Sequence, residues 1–113
     1  MSQDQIAAID KNIQEAKALI ELGKSLDRLR LNKDFKTVID QGYFKDEPVR
    51  LVSLLADPGS QRPEQQQDIR RQMDAISHLQ AYFRLLDWKH ERSVGDLEAS
   101  EVTRESILLG EDE

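Results

Sequence analysis

Two long stretches of this chain repeat apolar residues at intervals of three and four, and a shorter stretch containing glycine and proline separates them. From Gln3 to about Leu31 no proline intervenes, and Ile6, Ile9, Ile13, Ala16, Leu19, Ile20, Leu22, Leu26 and Leu29 fall at helical spacing. Lys11, Gln14, Glu15, Lys17, Glu21, Lys24 and Arg28 occupy the opposite side, with Glu21 placed for an i,i+3 ion pair with Lys24. Successive three-residue steps between Ala16 and Leu22 shift the stripe, which favours a compact bundle over a long regular coiled coil. A second long helix is expected from Pro63 to about Arg92, with Ile69, Met73, Ile76, Leu79, Phe83 and Leu86 on one side, flanked by Tyr82, Leu85 and Trp88. After Ser93-Val94-Gly95 the pattern dissolves.

Between these stretches, Asp34 is suited to cap a short helix "FKTVIDQ", and Gly42 stands where a left-handed C-terminal residue would close it. Asp46 caps a second short helix, with Pro48 in its first turn and Asp57-Pro58-Gly59 ending it. Val49, Leu51, Val52, Leu54 and Leu55 make that helix apolar nearly all round, so it is expected to be the most buried element. The fold class is therefore all-α: an antiparallel hairpin of two long amphipathic helices with two short helices in the crossover. Phe35, Tyr43 and Phe44 lie on this crossover, while Tyr82, Phe83 and Trp88 lie late in the second long helix. They meet in a core if the short helices fold back, and otherwise present a docking surface.

Charge separates the chain into a helical domain, 1–93, and an acidic C-terminal tail, 94–113. The tail holds Asp96, Glu98, Glu101, Glu105, Glu111, Asp112 and Glu113 against the single base Arg104, leaving acids and bases balanced in the remainder. The net charge of −6 thus belongs to the tail. With 34% of residues charged and 38% apolar, elongated helices with one apolar face are favoured over a thick core. The tail reads either as a disordered solubilising extension or as a segment ordered by a partner. In the second reading Ile107, Leu108 and Leu109 are anchors, and the acids steer toward a basic surface. Tyr43, Phe44 and Trp88 are the other candidate partner contacts.

Reactive chemistry finds little support in the residue pattern. Cysteine is absent, which removes thiolate metal sites and thiol nucleophiles. His78 and His90 stand twelve apart on one expected helix, roughly 18 Å by helical rise and too distant to share a metal. No Gly-x-Ser-x-Gly elbow or glycine-rich phosphate loop occurs, and the five glycines are scattered. Neither catalysis, a cofactor nor a metal is expected. Arg28, Arg30, Lys33 and Lys36, and likewise Arg70, Arg71, Arg84, Lys89 and Arg92, are interleaved with Asp27, Asp34, Asp68, Asp74 and Asp87, which argues against nucleic acid. The polar, acidic start lacks a signal-peptide pattern, and no run approaches the ~18 apolar residues of a membrane span, so a soluble, unsecreted protein is expected.

The segment "FKTVIDQGYFKDEPVRLVSLLADP", followed by "IRRQMDAISHLQAYFRLL", resembles small helical proteins encoded in tailed-bacteriophage genomes, often among genes for the head and virion. The likeness spans roughly residues 26–86 and rests on the hydrophobic pattern with Phe35, Gly42, Tyr43, Pro48 and Arg50. It implies a virion-associated or head-assembly role, a location in the virion or host cytoplasm, and a protein partner such as capsid or portal. It transfers no catalytic residue. A phage regulator that grips a host enzyme through the acidic tail is the alternative. Self-association also remains open, since one apolar stripe serves an intramolecular hairpin or a dimer.

Overall fold

The computed structural model describes residues 2–110, and no strand occurs among them. Helix α1 (Ser2–Leu31) is followed by the short α2 (Lys33–Phe35), a π-helical stretch (Lys36–Asp46) and α3 (Glu47–Ala56). A 3₁₀ turn (Pro58–Ser60) then leads into α4 (Pro63–Leu108). The chain forms two compact units, one of Asp27–Arg84 and the other of Met1–Leu26 with Leu85–Glu113. The boundary expected at residue 94 falls inside α4, which passes through Gly95 and ends sixteen residues beyond Arg92.

In the Asp27–Arg84 unit, the crossover is not two capped helices. Asn32 is the extended residue that separates α1 from α2, and its side chain accepts the Phe35 N–H at 2.9 Å, so the cap lies two residues before Asp34. Gly42 does not close a helix in a left-handed conformation; Gly110 alone has positive φ among the described residues. Asp46 makes no side-chain cap bond, and the Glu47 N–H reaches five residues back to the Gly42 carbonyl.

That wider winding decides which aromatic residues meet. Phe35 and Phe44 are nine residues apart, about two and a half turns of an α-helix, which would set them on opposite faces. Bonding five residues back brings the same interval to about two turns and restores them to one face. Both then reach Phe83 of α4, with ring centroids 6.0 Å and 5.8 Å away. Tyr43 and Tyr82 flank this cluster through contacts with Phe44 and Phe83.

Leu51, Ile69 and Ile76 form the buried centre of this unit, with Tyr43, Phe44, Leu54, Leu55 and Met73 packed around them. The expectation that α3 is the most buried element holds only at Leu51, which is fully enclosed; no other residue of this helix is buried, and Val49 is 67% exposed and Val52 54%. One neighbouring layer covers one side of a helix: Leu54 and Leu55 pack at its edge, and Val49 and Val52 face solvent. Arg50 spans polar groups on its margin, pairing with Glu47 and reaching Gln72 of α4 at 3.5 Å.

The turn before α4 is held by glutamine side chains. Gln61 donates to the carbonyls of Leu55 and Asp57 at 2.9 and 2.7 Å, and Gln66 donates to Leu55 and Ser60 at 3.1 and 2.8 Å. Gln65 accepts the Arg62 N–H at 3.1 Å, the third-position half of a capping box. The bonds to Leu55 and Asp57 satisfy carbonyls left over at the end of α3. Gln66→Ala removes two hydrogen bonds from a part-buried site and is expected to cost about 1–2 kcal/mol by denaturant titration, while Gln67→Ala, exposed and one position on, is expected to change stability by less than about 0.5 kcal/mol.

In the other unit, Ile6, Ile9, Ile13, Ala16, Ile20 and Gly23 alternate three- and four-residue steps, and each is buried or half-buried. Leu86, His90, Ser93, Leu97, Ser100, Arg104 and Ile107 do the same on α4. Such alternation is the spacing of a coiled-coil seam. Arg104 Nε donates to Asp10 Oδ1 at 2.7 Å, and the His90 ring lies against Gly23. One segment therefore advances as the other recedes, and their pairing is antiparallel. By that register Ile20 stands opposite Ser93, Ala16 opposite Leu97 and Ile13 opposite Ser100, a large residue facing a small one at each level. The irregular three-residue steps in the sequence belong to two lines: Ala16, Ile20 and Gly23 in the seam, and Leu19 and Leu22 beside it.

Candidate interaction surface

The six side chains expected to contact a partner occupy three different environments. Tyr43 and Phe44 are half-buried against the Leu51, Ile69 and Ile76 core, so much of their surface is already engaged within the Asp27–Arg84 unit. Trp88 belongs to the other unit and is 54% exposed, with the Arg92 guanidinium 5.2 Å from its ring centre. Arg92 also reaches Asp96 at 3.8 Å. Ile107 is half-buried in the seam, whereas Leu108 and Leu109 are exposed by 61% and 66%.

The end of α4 has a defined geometry. The Leu109 N–H donates to Glu105 and the Gly110 N–H to Ile107, at 3.0 and 3.1 Å. Gly110 turns left-handed at φ 75°, the residue type best suited to closing a helix in that way. Through Val94 to Leu108 the acidic segment is therefore helical, and Leu97, Ser100 and Arg104 of that segment face inward. The last acids, Glu111, Asp112 and Glu113, lie outside the described residues.

Sequence reasoning did not single out two further surfaces. In the unit of Met1–Leu26 with Leu85–Glu113, Leu22 and Leu85 are 41% and 42% exposed; the shift of the stripe at Leu19 and Leu22 is the sequence signal for this second line. In the Asp27–Arg84 unit, Arg30, Asp40, Phe44, Gln80, Phe83 and Arg84 line a shallow groove. The Arg30 guanidinium lies 5.9 Å from the Phe83 ring centre and 3.9 Å from Asp27. Asp27 and Asp40 therefore offset the two guanidinium groups beside this aromatic wall.

His90 is occupied by packing on Gly23, and His78 lies exposed on α4. Among the described residues, no group of three or more histidines and carboxylates is placed to hold a metal ion, and no helix is long and apolar enough to cross a membrane. The exposed ion pairs, such as Lys24 with Glu21 at 3.6 Å and Lys11 with Glu15 at 4.0 Å, are spread along α1 and contribute little each. Compared with protein-family models, with curated proteins and with solved structures, the chain matches none.

Proposed function

We propose that this chain is a noncatalytic protein–protein interaction module, a bacteriophage virion-associated or head-assembly accessory protein in which two long antiparallel helices serve as the scaffold. The observation that carries the interaction reading is the exposure of Leu108 and Leu109 at the acid-rich end of α4, where aliphatic anchors and carboxylates stand together. The exposed Trp88 adds a second anchor of the kind that dominates binding energy when a partner covers it. The phage assignment, with capsid or portal protein as partner and the virion or host cytoplasm as location, rests on the resemblance of residues 26–86. Its alternative, a phage regulator bound to a host enzyme, draws on the same acidic end, which would occupy a basic surface.

Copurification from phage-infected cells separates the two. Recovery with capsid, portal or assembly intermediates is the expected result; salt-sensitive recovery with a host enzyme supports the alternative, and absence from virions and from every assembly intermediate rejects the head-assembly role. Deleting residues 96–113 is unsuitable as a binding test, because Leu97, Ser100, Arg104 and Ile107 belong to the packed seam and their loss disturbs folding. Leu108→Ser with Leu109→Ser removes the exposed anchors and is expected to reduce partner recovery at least tenfold while leaving the helical circular dichroism unchanged.

A further inference from the structure

We propose that residues 95–108 of α4 form a strap that lifts from α1 as one piece, hinged at Gly95 and latched by Arg104 on Asp10, while residues 86–93 stay packed. Burial changes at the hinge. Before Gly95, the inward-facing Leu86 and Ser93 are buried, with the half-buried His90 between them. Beyond it, Leu97, Ser100, Arg104 and Ile107 are all half-buried. The facing helix shows the same gradient, since Ile13, Ala16 and Ile20 are buried whereas Ile6, Ile9 and Asp10 are half-buried. Local opening costs least where the fewest apolar contacts are enclosed, which is the half of the seam beyond Gly95.

Gly95 is a second observation. Gly23 must be small because His90 rests on it, whereas a methyl group at Gly95 would meet nothing within 4 Å. Packing therefore does not require glycine there, and its effect is on the backbone, where glycine loosens the interior of a helix. It stands at the border between the buried and half-buried parts of the seam. The strap itself is lightly held. Two of its four inward residues are Ser100 and Arg104, and Arg104, with a side chain 39% exposed, donates to Asp10 of α1 at 2.7 Å. Thr103 Oγ1 donates to the Ala99 carbonyl of its own helix and adds nothing across the seam. Lifting uncovers Leu97 and Ile107 together with Ile6, Ile9 and Ile13, so the open chain presents an apolar face that the closed chain hides.

Amide hydrogen exchange on the full chain, followed residue by residue, tests this; the opening belongs to the free chain and needs no partner. In wild type the amides of residues 98–106 are expected to exchange at rates similar to one another and at least roughly tenfold faster than those of residues 87–93, with the break at Gly95. Arg104→Gln and Asp10→Asn lie on opposite helices, and each is expected to speed exchange in the strap about threefold without changing residues 87–93. Gly95→Ala stiffens the hinge and should slow exchange in the strap about threefold. Rates that climb smoothly toward Leu108 with no break at Gly95 mean ordinary fraying of a helix end and overturn the proposal. Equal protection on both sides of Gly95 also overturns it, as does a strap rate that Asp10→Asn leaves unchanged. Should a latch variant lose helical signal, Gly95→Ala decides alone, because no clash opposes its folding: slower exchange confined to the strap supports the hinge, and an unchanged rate sinks it.

Discussion

Leu51→Ala is expected to destabilise the Asp27–Arg84 unit by about 3–5 kcal/mol, the range for deleting a fully enclosed aliphatic side chain whose surroundings relax only in part. Leu51 has no solvent exposure and sits with Ile69 and Ile76 at the centre of the unit, enclosed by Tyr43, Phe44, Leu54 and Leu55. A loss of this size approaches the whole stability of an ordinary small domain. Val49→Ala and Val52→Ala on the same helix remove similar carbon from solvent-facing positions and are expected to change stability by no more than about 0.5 kcal/mol. Hydrogen exchange followed residue by residue measures the contrast, since it reports opening of each region separately. Protection should fall throughout α3 and the facing turns of α4 in Leu51→Ala. Comparable losses from all three substitutions would mean that α3 is enclosed on every side, as its composition alone suggests.

The error about α3 shows where the sequence stops being informative. Composition tells how much apolar surface a helix carries, whereas the number of neighbours tells how much of it is covered. Leu51, Leu54 and Leu55 point to the core, and Val49 and Val52 do not, although all five are aliphatic. Periodicity was a better guide in the long helices, where each side chain votes on one repeated geometry. The apolar stripes of α1 and α4 were legible in that way and the start at Pro63 from its place in a first turn, whereas the meeting of Phe35 and Phe44 with Phe83 was one of two alternatives.

What was not legible depends on choices that adjacent residues do not encode. Gly42 and Asp46 are ordinary termination and capping residues, yet the π-helical winding runs through both and aligns Phe35 and Phe44 on Phe83, which lies far beyond them in the sequence. The continuation of α4 past Gly95 has a similar cause. Ser93 and Ser100 look weak as an apolar stripe, but opposite Ile20 and Ile13 small residues are what the register requires, Leu97 opposes the small Ala16, and Ser93 is 4% exposed. The candidate surfaces divide along the same line. Leu108, Leu109 and Trp88 are exposed, while Tyr43, Phe44 and Ile107 are half-buried.

Gly23 supplies the sharpest test of the seam. A methyl group built on it would overlap the His90 side chain, including its Cβ and Cγ. Those atoms are close to the α4 backbone, so rotating the imidazole does not remove the conflict, and the two helical segments must separate. Gly23→Ala is therefore expected to cost about 1–3 kcal/mol from overpacking, a loss only partly offset by the roughly 0.5–1 kcal/mol that alanine gains over glycine inside a helix. Gly95 provides the control, because nothing lies within 4 Å of a methyl placed there. Gly95→Ala should stabilise the same unit by about 0.5–1 kcal/mol, free of any clash. Rescue identifies the cause: His90→Ala retains the Cβ and should restore little in the Gly23→Ala background, whereas His90→Gly should restore most of the lost packing and give a coupling of about 1–2 kcal/mol in a double-mutant cycle. Trp88 is the sole tryptophan and lies in the same unit, so its fluorescence follows the transition. If Gly23→Ala and Gly95→Ala shift that transition in the same direction and by the same amount, His90 does not rest on Gly23 and the antiparallel register drawn through them fails.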